Sequence, residues 1–292
     1  MNLKRRDFIK KLSCACCAPL FLPSCTEVAI TNRKQLSIIS DESINKQALQ
    51  AYEQVKKQEN LIESGQNFRS VKEVGLRVTE SVEEYFLKMG QSDSIKNYNW
   101  EFILIDDKDT LNAWCMPGGK IAFYTGILDV AANNDGLASI MGHEIAHAVA
   151  RHSVERASQA LAINVGTTIL DIALEGALSN TSADDYLVNL GTTILDIALE
   201  GALSNTSADD YLVNLGLSLP FNRLQESEAD YLGLAFMTMA KYDNHESYKV
   251  WQRMAEAQKG NAPPEFLSTH PSPKNRIEKL KNWIPEVDLR FT

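Results

Sequence analysis

The chain has 292 residues, 44% of them hydrophobic, which is enough for one substantial globular domain. Its formal net charge is −9; the first 24 residues carry five basic groups and one acidic one, so the remainder holds 24 basic against 37 acidic residues, a net of −13. So acidic a body argues against nucleic acid as a partner, because phosphate binding needs a basic face.

The N-terminus reads as a targeting segment rather than part of the fold. Lys4-Arg5-Arg6-Asp7-Phe8-Ile9-Lys10 resembles a twin-arginine export signal. The apolar stretch Leu12 to Leu22 is short of the ~20 residues that span a bilayer. Leu22-Pro23-Ser24-Cys25 resembles a bacterial lipobox, which implies cleavage before Cys25 and acylation there, and an anchor that holds the protein on a membrane. An ordinary cleaved signal or an uncleaved anchor is the alternative, since Cys14, Cys16 and Cys17 blur the boundary. Residues 1–24 are thus a signal, 25–40 a lipidated cysteine and tether, and 41–292 the folded domain. Cys115 alone remains in the body, so no disulfide framework is available there, and it reads as a packed strand residue.

Helical patterns cover about 41–59 and 67–89. Trp100 to Ile105 predicts a strand, followed by a turn at Asp106-Asp107-Lys108-Asp109. Leu111 to Met116 and Lys120 to Tyr124 predict two more, joined by Pro117-Gly118-Gly119. A helix capped by Asn134 or Asp135 follows to about residue 157, with Leu137, Ile140, Met141, Ile145 and Val149 at helical spacing. Gly166 to Leu190 then recurs unchanged as Gly191 to Leu215, a tandem copy of 25 residues. One pair is too few for a solenoid, so one copy reads as an insertion that loops out or forms an extra helical hairpin. Helices over Arg223 to Ala240 and about 245–259 come next, then a loop at Pro263-Pro264, and a last helix from Ser272 as N-cap and Pro273 to about Trp283.

The helix from 135 carries His143-Glu144-Ile145-Ala146-His147. Four residues turn a helix by about 400°, so His143 and His147 lie about 40° apart and can hold two corners of a tetrahedral zinc site. Glu144 is placed to take a proton from a water activated by the metal. The plain alternative is three polar helix residues, but on a buried helix unpaired polar groups are costly. Zinc needs a third protein ligand. Glu226 and Asp230 are four apart on a later helix and share a face, whereas Glu228 lies about 200° from Glu226 and points elsewhere. Glu226 can therefore be the third ligand, and Asp230 can accept from the distal nitrogen of a ligating histidine. An acidic surface stripe is the competing account of that run.

Together, His143-Glu144-x-x-His147, Glu226-x-x-Ala229-Asp230 with Gly233, Ser268-Thr269-His270-Pro271 with Arg276-Ile277, and Asn112-Ala113-Trp114-Cys115-Met116-Pro117-Gly118-Gly119 resemble one family. It is the family of membrane-associated zinc metallopeptidases that includes CaaX prenyl endoproteases, HtpX-type heat-shock proteases, the Oma-type mitochondrial stress protease, and BepA- and LoiP-type chaperone-proteases. The match runs from about Ser40 to Trp283, nearest the soluble periplasmic lipoprotein branch. The resemblance implies a mainly α fold with a small β-sheet (α+β, zincin-like) and one Zn2+ per chain on His143, His147 and Glu226. It implies Glu144 as general base, with Asp230 behind the ligands. His270 would lie near the metal, as a fourth ligand or a transition-state stabiliser; a loop histidine on a Pro-rich turn is its plain alternative. Arg223 and Arg276 would pair with carboxylates around the site, or be surface cations. His152, nine residues past His143, falls on the opposite side of a continuous helix and reads as structural, as does His245.

The implied activity is metalloendopeptidase cleavage of misfolded or unassembled cell-envelope proteins, with an extended substrate pairing to an edge strand near Asn112 to Gly119. The expected place is a periplasm-facing lipoprotein of the outer membrane, with outer-membrane assembly or quality-control proteins as partners. Two rivals stand: a chaperone or binding module on a latent peptidase scaffold, and an inert structural lipoprotein.

Overall fold

The structure, a computed structural model, describes residues 25–160, 162, 221–257, 265–270 and 275–292. The signal, the 25-residue duplication, Pro263-Pro264, and Ser272 with Pro273 lie outside the described residues. The described part is mainly helical with a small three-stranded sheet, as expected, and a second, two-stranded sheet where a tether was expected.

Strands β1 (Cys25–Glu27) and β2 (Lys34–Leu36) form an antiparallel hairpin. Helices Asp41–Gln58 and Gln66–Lys88 follow, and then a three-stranded sheet of β3 (Glu101–Ile105), β4 (Ala113–Met116) and β5 (Lys120–Tyr124). Its order is β3-β5-β4, with β3 parallel and β4 antiparallel to β5, so β4 is an edge. The β4–β5 turn needs its glycines: Gly118 and Gly119 have φ of 82° and 85°. A Cβ on Gly119 would also lie 2.7 Å from the Trp100 ring.

The helix bearing the histidine pair runs Asn134–Val149 and is buried from Gly136 onward. Asn133 caps it, its side chain accepting from Gly136 N at 2.8 Å, one residue before the expected caps. This motif helix lies between the sheet and the helix Arg223–Met239. Val74, Val78 and Val82 of the second helix, Leu104, Ile121 and Phe123 of the sheet, and Met141, Ile145, Leu232 and Phe236 of the two central helices make one apolar core. Helices Glu246–Ala257, Glu265–Thr269 and Arg276–Phe291 close the far side. The last of these runs eight residues past Trp283, with Pro285 inside it.

Two expectations fail in instructive ways. The motif helix does not continue to residue 157: it ends at Val149, Arg151 takes φ of 58°, and a new helical segment starts at His152. No glycine or proline marks the break. The Arg151 side chain holds it instead, donating to Asp41 at 2.8 Å, Thr26 at 3.0 Å and Ser37 at 3.0 Å, contacts made with residues more than 100 positions away. The segment 26–40 is not a free tether either. Val28 and Ile30 are buried in the core, and Arg33 pairs with Glu155 and Glu228.

Candidate metal centre

Neighbouring turns of the motif helix bring His143 and His147 side by side, with Nε2 atoms 3.1 Å apart. The Arg223–Met239 helix crosses it and delivers Glu226, whose Oε1 lies 3.3 Å from His147 Nε2 and whose Oε2 lies 3.6 Å from His143 Nε2. An Asn222–Gln225 capping box fixes where this helix starts. The residue that follows the short helix Glu265–Thr269 supplies a fourth donor. Phe266 N bonds Leu111 O at 3.1 Å and Phe221 N bonds Thr269 O at 2.9 Å. His270 Nδ1 is thereby set 3.3 Å from His143 Nε2 and 3.0 Å from Glu226 Oε1.

These separations identify the cluster. Donor atoms about 2.0–2.1 Å from a tetrahedral zinc must lie about 3.3–3.4 Å from one another. Five separations among the four residues, from 3.0 to 3.6 Å, fall around that value. All four side chains are buried, and their ligand atoms lie within 4.8 Å of one another. Among the described residues this is the one group of that kind. Three imidazoles and a carboxylate packed this tightly cannot all satisfy one another by hydrogen bonds, since facing ring nitrogens can share only one proton. A divalent cation satisfies all of them, and the nitrogen-and-oxygen donor set suits zinc.

The outer side chains orient the donors. Asp230 Oδ1 lies 3.1 Å from His143 Nδ1, the arrangement that leaves Nε2 free to ligate. Arg276, 1% exposed, donates from Nε to Asp230 at 2.6 Å and from Nη2 to Glu226 Oε2, and its guanidinium lies over the Trp251 ring. Arg223 makes no such contact: it is exposed at the start of its helix and forms no ion pair among the described residues. His245 is a surface residue beside Asp243.

Glu144 is 2% exposed and its Oε1 has no hydrogen-bond partner, while His270 Nε2 stands 3.6 Å away. Burial pushes its pKa up, against the pull of His270, His143 and the backbone N–H of Cys115 on β4. Burial would push Glu226 up as well, but His270 and His147 hold it well below the usual carboxylate range. Burial drives His147 well below the imidazole range, favouring the neutral ring that a metal ligand must be.

Sequence reasoning misses three parts of the site. Phe221 stacks on His147 with centroids 3.8 Å apart, and Arg156 lies 3.6 Å over the Phe221 ring. His152 does not face away: it is fully buried with Nδ1 2.9 Å from His147 Nδ1, because the break at Arg151 turns it back. Glu228 does point away from the metal, as its helical phase requires, and meets His152 there at 2.9 Å. An Arg-His pair just after the motif was the only trace of this in the sequence.

A family model described as Peptidase family M48 matches residues 76–284. The chain is 35% identical to mitochondrial metalloendopeptidase OMA1 of Schizosaccharomyces pombe over 268 residues, 90% of this chain and 67% of that protein. It is 34% identical to mitochondrial metalloendopeptidase OMA1 of Saccharomyces cerevisiae over 203 residues, 67% of this chain and 49% of that one. It is 27% identical to the beta-barrel assembly-enhancing protease of Escherichia coli O157:H7 over 195 residues, 66% of this chain and 36% of that protein. The chain thus spans between 36% and 67% of the length of these relatives.

Proposed function

The chain belongs to peptidase family M48 and is a zinc metalloendopeptidase whose metal site is His143, His147 and Glu226; we propose that Glu144 is its general base and that its substrates are misfolded or unassembled proteins of a bacterial cell envelope. The observation that carries the first part is the buried, unpartnered Oε1 of Glu144 beside the four-donor cluster. When bound, zinc supplies a Lewis acid that acidifies water towards neutrality and polarises a carbonyl. Glu144 takes the proton of the attacking water and returns it to the leaving amine nitrogen. Edge strand β4, whose Cys115 N–H faces Glu144, aligns an extended substrate by strand addition. Glu144→Gln keeps stoichiometric zinc and abolishes cleavage of an unfolded substrate such as casein; full proteolysis by that variant would overturn the assignment.

The cell-envelope reading rests on the signal and lipobox at Cys25, with placement as a periplasm-facing outer-membrane lipoprotein. It draws further support from the likeness to a beta-barrel assembly-enhancing protease. No helix among the described residues is long and apolar enough to cross a membrane.

A second reading has its own observation. His270 Nδ1 stands among the ligand atoms, where it fills the fourth position that an active site keeps for water. On this account the scaffold is latent and acts as a chaperone or binding module. Digestion of casein with and without a chelator, by the wild type and by His270→Ala, separates the two. Activity released in His270→Ala makes the histidine a latch; no activity on any unfolded substrate, with retained holdase activity, favours the binding module.

A further inference from the structure

Behind His147 runs a file of hydrogen bonds that ends in the hairpin next to Cys25. His147 Nδ1 is 2.9 Å from His152 Nδ1, and His152 Nε2 is 2.9 Å from Glu228 Oε2. Arg33 Nε donates to that same oxygen at 2.6 Å, and the Thr31 hydroxyl donates to the other. The two terminal nitrogens of Arg33 meet Glu155 at 2.8 Å each, and Gln225, next in sequence to ligand Glu226, donates to Glu155 at 2.8 Å.

The protons in this file have one arrangement. Ligation through His147 Nε2 puts the ring proton on Nδ1. His152 Nδ1, facing it, must then accept, so the proton of His152 sits on Nε2. Glu228 already accepts from Arg33 and Thr31, and as a carboxylate it accepts this bond too. On the other ligand histidine the corresponding place is taken by Asp230, whose Oδ1 stands 3.1 Å from His143 Nδ1.

We propose that His152, Glu228 and Arg33 are positioning residues that hold His147 in the tautomer presenting Nε2 to zinc, so that the β1–β2 hairpin contributes to metal affinity. The proposal rests on His147 being a zinc ligand. Its role is separate from that of Glu144, and none of the three is among the candidate ligands.

The test uses the full chain. In zinc-loaded wild type labelled with 15N-histidine, long-range 15N–1H spectra show the proton of His147 on Nδ1 and that of His152 on Nε2. The opposite tautomer at His152 overturns the proposal without any variant having to fold. Zinc affinity is then measured by chelator competition. His152→Ala and Glu228→Leu each weaken it about 10- to 100-fold, the usual effect of removing an outer partner. The double variant is little worse than either single one, as members of one file require. Glu228→Gln, whose amide oxygen still accepts from Arg33 and His152 while its NH2 faces Thr31, recovers most of the affinity that Glu228→Leu loses. Unchanged affinity in His152→Ala, or additive losses, overturns the proposal. A wild type that binds no zinc overturns the metal assignment beneath it, a different result.

Discussion

Gly142 and Gly233 meet backbone to backbone where the two ligand-bearing helices cross. A Cβ on Gly142 would sit 2.7 Å from the Gly233 carbonyl oxygen, and one on Gly233 would sit 2.8 Å from the His143 nitrogen. Nothing at either point is a flexible side chain that could yield. This contact sets the distance between His143 and Glu226, so the metal geometry depends on two absent methyl groups. Gly233→Ala is expected to force the helices apart, costing about 1–3 kcal/mol as overpacking does. Zinc affinity should fall with it. Urea unfolding and zinc content of the purified variant check this; a variant as stable and as zinc-replete as wild type contradicts the crossing argument.

Arg276 is the buried cation that Glu226 and Asp230 share. Replacing it with Met removes the one cation that bridges the two buried carboxylates and leaves each with its histidine neighbours alone, which costs about 3–5 kcal/mol as breaking a buried ion pair does. Lysine should restore little, because a single ammonium cannot reproduce the fork that reaches both carboxylates. Denaturation midpoints of Arg276→Met and Arg276→Lys decide this, and full stability in the lysine variant would show that charge alone suffices.

The Arg33–Glu155 pair ties the N-terminal hairpin to the helical segment after the motif, with a pH signature. Burial pushes Glu155 up, but Arg33 and Gln225 outweigh it and hold its pKa below the unfolded value of 4.5. A depressed carboxylate contributes stability that is present above pH 4.5 and is lost as pH falls through its folded pKa. Glu155→Gln should therefore be less stable than wild type at pH 7 by about 1.5–3 kcal/mol, the range for hydrogen bonds to charged groups. The gap should close in acid below pH 4.5. Urea titrations across pH 3 to 7 measure it, and a gap independent of pH rules the pairing out as its source.

If Cys25 is acylated, the full-length protein made in a bacterium partitions into the detergent phase of a Triton X-114 extraction. Cys25→Ser should move it to the aqueous phase, and mass spectrometry of the wild-type N-terminus should show the added acyl mass. Equal partitioning of both forms removes the lipoprotein reading and leaves the peptidase assignment untouched.

What the sequence determined by itself is what a single helix can encode. The turn of 3.6 residues places His143 beside His147 and Glu226 in line with Asp230, and it turns Glu228 away from the metal, whatever else the chain does. The sheet strands and most helix bounds were legible for the same reason, since their periodicity is local. What only the tertiary structure decided involves partners far apart in the chain. His152 joins the site because the helix breaks at Arg151, a break held by Thr26, Ser37 and Asp41 rather than by any local helix breaker. The stretch after Cys25 docks because Arg33 finds Glu155 and Glu228 more than 120 residues away. Arg276 enters the site from 46 residues beyond Asp230, while Arg223, just before Glu226 in the chain, stays in solvent. Helical phase follows from neighbours along the chain, whereas burying a charge is favourable only where its counter-charges already stand, and no local pattern records where that is.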